Sequence, residues 1–283
     1  KVKVSVLNKD DEQYPYFRSV VKTGSTLVSY SLKRKADLKA KGIRLKDAQM
    51  SFSISEGGKT YKVTTKLIGD YNVSNILAAT AMARKCGVKW KNILMALKIF
   101  NGVPGRMEMI TAGQPFSVII DFAHTPNALE KVLNTLKKLC KGKLIVVFGC
   151  AGERDTLKRP MMGEISVKLA DISIFTAEDP RHEDVSKVIN QIVQGAKKTG
   201  AKEITKEDFN SSVYQKRLHL FVRIPDRKEA ITLAIKKLAR KNDVIVICGK
   251  GHEKSMCYGN TEIPWDDGDV ARKCLKLQIL KNP

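Results

Sequence analysis

The 283-residue sequence contains no run approaching the roughly 20 apolar residues that a membrane-spanning helix requires. Its first residues, Lys1-Val2-Lys3-Val4-Ser5-Val6, alternate like a strand and do not form the apolar core of a secretory signal. There are six cysteines (Cys86, Cys140, Cys150, Cys248, Cys257 and Cys274), and no two are spaced as CxxC, which argues against zinc and redox sites. Most lie in apolar runs such as residues 144–150, so buried free thiols in a reducing cytoplasm are expected. A phosphate-binding loop of the form G-x-x-x-x-G-K-[ST] is missing. The nearest approach, Gly58-Lys59-Thr60, has Ser53 at the first glycine position and lies between two strands with no helix after it. Nor does any G-x-G-x-x-G follow a strand; Gly149-Cys150-Ala151-Gly152 approximates one only loosely.

What is abundant is lysine. The formal charge is +22, and lysine outnumbers arginine by 38 to 13. Base and phosphate clamps favour the arginine fork. The excess is also spread: +9 over residues 1–66, +5 over 67–140, +1 over 141–210 and +7 over 211–283. A lysine-rich solvated surface explains this better than a nucleic-acid interface, although attraction for an acidic substrate fits too. With 43% hydrophobic residues the composition is globular, and the length suits one large domain or two ordinary ones.

The pattern changes along the chain. Residues 2–7, 50–55 and 61–67 read as strands, the last two joined by the turn Glu56-Gly57-Gly58-Lys59. Residues 72–86 have helical spacing and stop at Gly87, a natural helix terminator, and residues 91–100 form a second helix. Residues 101–105 (Asn-Gly-Val-Pro-Gly) break the pattern and mark a domain boundary. Beyond them strands at 116–122, 143–149, 172–176, 218–224 and 244–249 alternate with helices at 126–140, 159–169, 185–198, 226–240 and 269–280. Near-continuous apolar strands between amphipathic helices predict an α/β fold with a mostly parallel sheet covered on both faces. Residues 199–217 are polar and read as a surface excursion.

In such sheets ligands bind beyond the carboxyl ends of the strands. Each predicted strand delivers polar residues there: Asp121 and His124; Gly149 through Asp155 with Lys158 and Arg159; Glu178, Asp179 and Arg181; Asp226 and Arg227; and Gly249, Lys250, Gly251, His252 and Glu253. The mixture of both signs suits a zwitterionic ligand, because arginine forks take carboxylates and carboxylates take an ammonium. Asp226 fits a plain helix cap equally well, and Asp266-Asp267 reads as capping and macrodipole stabilisation.

Six stretches occur in a fixed order: Gly69-Asp70-Tyr71-Asn72-Val73-Ser74-Asn75; Pro104-Gly105-Arg106-Met107-Glu108; Asp121 through Pro126; Gly149 through Asp155 with Lys158-Arg159-Pro160; Asp179-Pro180-Arg181; and Gly249-Lys250-Gly251-His252-Glu253. Together they resemble the Mur ligases, in particular the UDP-N-acetylmuramoyl-tripeptide synthetase type that adds the third residue of the peptidoglycan stem peptide. The resemblance covers nearly the whole chain. It implies a C-terminal Rossmann-like domain over residues 107–283, preceded over residues 1–106 by the later part of a central α/β ATPase-type domain. Asn8-Lys9-Asp10-Asp11 resembles a stretch that follows the phosphate loop in that family. The missing loop and the missing initiator Met would then have one cause, an absent N-terminal part, and the chain alone is expected to be inactive.

The reaction implied is ATP- and Mg²⁺-dependent: a substrate carboxylate becomes an acyl phosphate, an amine attacks it, and phosphate leaves. The substrates implied are UDP-MurNAc-L-Ala-D-Glu and meso-diaminopimelate or a related diamino acid, acted on by a cytoplasmic monomer with no nucleic-acid or membrane partner. By resemblance Asn72, Arg106, Asp121 and His124 lie at the nucleotide, with the main metal ligands outside this sequence. Arg154, Glu178, Asp179, Arg181, Gly249 and Glu253 hold the amino acid, Arg181 by its distal carboxylate and Glu253 by an ammonium. One position departs from the family's diaminopimelate motif, Asp-Asn-Pro-Arg: Asp179 stands at the Asn position, where it can only accept hydrogen bonds. The alternative reading is a pseudo-ligase or binding protein that keeps the amino-acid pocket.

Overall fold

The computed structural model describes residues 3–46, 49–205, 208 and 219–279. The chain forms two compact units, Lys1–Gly102 and Val103–Pro283. The expected excursion at 199–217 lies mostly outside the described residues, as do Val2, Leu218 and Leu280 at three expected element ends.

The first unit is a five-stranded sheet in sequential order: β1 (Val4–Asn8), β2 (Thr26–Ser31), β3 (Leu38–Lys46), β4 (Gln49–Glu56) and β5 (Lys59–Thr65). β1 to β3 pair in parallel, and β3 to β5 antiparallel. The β4–β5 turn has Gly57 at φ +54 and Gly58 at φ +79. Two consecutive left-handed residues define the tight hairpin turn that suits twisted strands, so the Gly-Lys-Thr sequence is a hairpin and not a phosphate loop. A short helix, α1 (Tyr14–Ser19), lies between β1 and β2. α2 (Asp70–Lys85) and α3 (Trp90–Ile99) cover the sheet through Val73, Leu77, Ala81 and Ile93, packed with Val28, Phe52 and Ile54. Gly87, at φ +83, closes α2 by donating its N–H to the Arg84 carbonyl at 3.1 Å.

The second unit is a seven-stranded sheet of order β10-β11-β9-β8-β12-β7-β6. The strands are β6 (Glu108–Ile110), β7 (Ser117–Asp121), β8 (Leu144–Phe148), β9 (Ile172–Phe175), β10 (Lys202–Glu203), β11 (Leu220–Arg223) and β12 (Val244–Cys248). All pairings are parallel except β6–β7. Strand alternation divides the core into two layers. Val118, Ile120, Ile145, Val147, Ile174, Ile245 and Ile247 face one cluster, completed by Ile231, Ile235 and Leu275. Ile119, Val146, Phe148, Phe175 and Val246 face the other, completed by Leu133, Met162 and Ile192. The second layer is carried by α4 (Pro126–Lys137), α5 (Lys158–Leu169) and α6 (Val185–Lys198). The first is carried by α7 (Arg227–Leu233), a π turn over Ala234–Leu238, and α8 (Asp267–Ile279). A hairpin, β13 (Ser255–Tyr258) and β14 (Thr261–Pro264), precedes α8.

Several caps follow the sequence directly. The Thr125 hydroxyl accepts from the Ala128 N–H at 3.3 Å, with Pro126 opening α4. Asp226 accepts from the Glu229 N–H at 2.7 Å. Two expectations need correction. The single helix expected over 226–240 relaxes into a π turn after Leu233. Cys86 is exposed and Cys140 half-buried, while the other four cysteines are buried as free thiols; residues 82–86 carry Met, Arg and Lys on the outer side of α2.

Candidate functional site at the strand ends

Parallel strands β7, β8, β9, β11 and β12 point their carboxyl ends the same way, so their following turns converge. The turn after β12 is the hinge of the arrangement. On one side it meets the turn after β7. The Gly249 N–H donates to the Asp121 carbonyl at 3.2 Å. A Cβ on Gly251 would lie 2.7 Å from Phe122 Cβ, and one on Gly105 would lie 2.1 Å from the Gly251 carbonyl carbon. Only glycine permits this backbone approach.

This side gathers three of the expected nucleotide residues. Asp121 is buried and each of its oxygens accepts a backbone bond, Oδ1 from Ala123 and Oδ2 from Met107, both at 2.8 Å. Burial raises its pKa against those hydrogen bonds and the nearby Arg106 charge. Asp121 therefore fixes the loop that carries Arg106. The exposed Arg106 guanidinium lies over the Phe122 ring at 4.2 Å, a cation–π contact that holds it in place. His124 is half-buried, 4.3 Å from the Phe122 ring, and its pKa is lowered by burial and then by Lys158. His252, on the other side, is 5.1 Å from the same ring. Asn72 belongs to the first unit, where its Nδ2 donates to the Ile68 carbonyl at 2.8 Å.

On the other side the β12 turn meets the turn after β9. Lys250, 1% exposed, places its ammonium 2.7 Å from Asp179 Oδ1 and 2.7 Å from Glu253 Oε2. Burial works against its charge, but these two bonds and charges raise its pKa. Asp179 Oδ1 also accepts the Cys257 N–H at 2.9 Å. Asp179 and Glu253 are thus tied to an internal lysine, a hub that the residue types and the motif did not single out. Its only sequence signal is a cation set in a glycine turn immediately after a buried strand.

Glu178 is buried, with Oε2 lacking a hydrogen-bond partner among the described residues. Burial raises its pKa to about 7, although Arg227, Lys158 and Lys250 oppose the shift. A Cβ on Gly249 would stand 2.3 Å from this oxygen. Arg181 is half-buried, and its Nε is also buried without a partner among the described residues. Asp179 and Arg181 both have left-handed backbone, at φ +39 and +53. The Arg181 N–H donates to the Cys257 carbonyl at 3.0 Å, and its carbonyl accepts from Gly259 at 2.8 Å. Two strained non-glycine residues around Pro180 are held by β13 and Lys250.

The turn after β8 is fastened separately. Arg159 is fully buried and reaches both Glu183 oxygens at 2.8 Å, Gln191 at 2.6 Å and the Ala151 carbonyl at 2.9 Å. Its hydrogen bond lowers the Glu183 pKa to about 2. Gly152 passes so close to the β9 turn that a Cβ would lie 1.9 Å from the Pro180 carbonyl oxygen. Arg154 is exposed on this turn, with no hydrogen bond or ion pair among the described residues. Beneath the turns, Arg227 and Asp267 form a bidentate pair at 2.8 and 2.7 Å, both fully buried. This corrects the expected role of Asp267: it is a core partner, while Asp266 does the capping, accepting from Gly268 at 2.8 Å and Asp269 at 3.1 Å.

Residues 105–251 match the family described as Mur ligase, glutamate ligase domain, and residues 1–83 match the Mur ligase middle domain. The chain belongs to the Mur ligase family. It is 38% identical over 274 residues to the UDP-N-acetylmuramoyl-L-alanyl-D-glutamate--2,6-diaminopimelate ligase of Geobacillus kaustophilus (strain HTA426), covering 97% of this chain and 52% of that relative. It is 39% identical to the UDP-N-acetylmuramyl-tripeptide synthetase of Roseiflexus sp. (strain RS-1), covering 96% and 51%. This Mur ligase chain spans about half the length of the curated relatives it matches. A solved diaminopimelate ligase structure superposes with a TM-score of 0.61 at 30% identity, over 98% of this chain and 54% of that one. The MurF ligase of Thermotoga maritima in complex with ADP shares the fold, with a TM-score of 0.67 at 14% identity, over 99% and 54%.

Proposed function

We propose that the chain is the amino-acid-binding half of an ATP-dependent C–N ligase that adds meso-diaminopimelate to UDP-MurNAc-L-Ala-D-Glu. Residues 107–283 hold the amino acid, and residues 1–106 belong to the nucleotide-binding domain. The observation that carries this reading is a pair of buried polar atoms of opposite character on one turn, Glu178 Oε2 and Arg181 Nε, neither with a partner among the described residues. An orphaned buried acceptor and donor are expensive unless a ligand satisfies both. A diamino dicarboxylic acid offers an ammonium to one and a carboxylate to the other. The names of the relatives support the same assignment.

Within this reading Arg181 binds the distal carboxylate and Glu178 faces the ammonium. Asp179, Lys250 and Glu253 form the charged wall that orients them, and Gly249 leaves room above Glu178. Arg154 is exposed and available to a second carboxylate. Arg106, fixed on Phe122 beside His124, contacts the nucleotide. Among the described residues no three His, Cys, Asp or Glu side chains group to hold a metal, and the main Mg²⁺ ligands of this reading lie outside residues 1–283.

The test is product formation from ATP, UDP-MurNAc-L-Ala-D-Glu and a panel of amino acids, using the full-length protein that carries this chain. Diaminopimelate should be the preferred amine and lysine a poor one; lysine used better would overturn the proposal. The 283-residue chain alone should release no phosphate in that mixture.

A further inference from the structure

A concave site that shares no lining residue with the proposed amino-acid pocket lies on the helical layer formed by α7, its π turn and α8. The cavity has a volume of about 1000 Å³. Its lining includes five lysines, Lys228, Lys236, Lys254, Lys273 and Lys276, against two aspartates, Asp266 and Asp269. Both aspartates are already committed. Asp266 pairs with Lys254 and caps α8, and Asp269 accepts from Arg272 at 2.9 Å. Lys228, Lys236, Lys273 and Lys276 have no ion pair among the described residues.

The placement is not that of lysines scattered over a surface. Lys228, Thr232 and Lys236 recur at four-residue spacing along one wall, and Lys273 and Lys276 stand on α8 in the other. Like charges gathered in a concavity repel and raise the local positive potential. Lys228 is moreover the second residue of α7, where the helix dipole disfavours a cation. Its position is therefore not one that local helix energetics selects. The floor is apolar: Trp265 and Cys274 line it, and the indole N–H of Trp265 donates to Asp267 at 2.8 Å, which fixes the ring. Cationic walls over a rigid apolar floor suit a small organic anion carrying several charges.

We propose that this cavity binds a multiply charged phosphate anion, an oligophosphate or a phosphorylated small molecule, at a site separate from the amino-acid pocket. Four ammonium groups complete their hydrogen bonds on its oxygens, and any organic portion lies on Trp265. The proposal does not depend on the ligase assignment.

The test is calorimetric titration of the chain with sodium tripolyphosphate, with tryptophan emission as a second readout. Saturable binding to one site is expected, with a change in emission that the W265F variant loses. K228E/K273E should weaken binding by roughly tenfold or more, since two charge-assisted contacts are reversed. The control K137E/K138E, an equal charge change on α4, should stay within about twofold. All four lysines in these variants are at the surface, so the fold should persist. Equal weakening in both variants, or binding that never saturates, would overturn the proposal.

Discussion

Two buried charge centres in the second unit, at Arg227 and Glu178, lie 49 positions apart in sequence, come together around Ala177 and behave oppositely. Arg227 uses Nε, Nη1 and Nη2 on Asp267, the Ala177 carbonyl and the Cys248 carbonyl, so each of its nitrogens has an acceptor. Glu178, immediately after Ala177, keeps one buried oxygen without a partner among the described residues and has a pKa raised to about 7. The turns of the first unit resemble the closed case. Asp10 accepts from the Ser31 hydroxyl and the Leu32 N–H, each at 2.6 Å, and Asp37 ties Ser29 down at 2.7 Å. A closed charge centre holds backbone in place. An open one costs stability and persists where something else is meant to complete it.

The largest effect should come from breaking the closed centre. Arg227→Met leaves Asp267 buried without its counter-charge, and should cost about 3–5 kcal/mol in urea unfolding, while adding Asp267→Leu should recover much of that. The open centre should behave in the reverse sense. Glu178 has its pKa raised from 4.5 to about 7, so the folded state binds the extra proton. Its stabilising share is full at pH below 4.5 and is lost as pH rises through 7, a fall of about 3 kcal/mol. Glu178→Gln should remove that part of the pH dependence and make the protein more stable than wild type at pH 8, as read by urea midpoints at pH 5 and 8. Gly249→Ala puts a Cβ 2.3 Å from Glu178 Oε2 at a residue with φ +111. It should destabilise by about 1–3 kcal/mol and displace the Glu178 carboxyl, visible as a changed titration of that group by NMR. At the small end, Glu164→Gln removes an exposed ion pair with Lys168 on α5 and should leave the unfolding midpoint unchanged.

Much of this was legible before the fold. Alternation between apolar strands and amphipathic helices predicts the parallel sheet, and the strand-end rule places Asp121, Glu178, Arg181, Gly249 and Glu253 in converging turns. The misses have physical causes. β3 carries no strand signal in the sequence because a bulge between Lys41 and Arg44, with Gly42 at φ +63, shifts its phase: Leu38 and Ala40 face inward before it, Ile43 and Leu45 after it. A period-two reading cancels across that shift. α1 has only six residues, too few for a periodic signal. Asp267 looked like a cap because its partner, Arg227, is 40 positions away and only sheet topology joins them. Lys250 was visible as a residue but not as a hub, since the Asp179 it pairs with comes from another strand. Long-range pairing of this kind leaves no local pattern to read.

In the proposed function, Glu178 and Arg181 are left unsatisfied for a zwitterionic ligand. Calorimetric titration of the protein with meso-diaminopimelate tests this, alongside the variants Glu178→Gln and Arg181→Ala and with lysine as the competing ligand. The account predicts saturable binding of diaminopimelate, much weaker binding of lysine, and loss of at least tenfold in affinity in either variant, on the order expected for one charge-assisted contact. Diaminopimelate affinity unchanged in Arg181→Ala, or lysine bound more tightly than diaminopimelate, would contradict it.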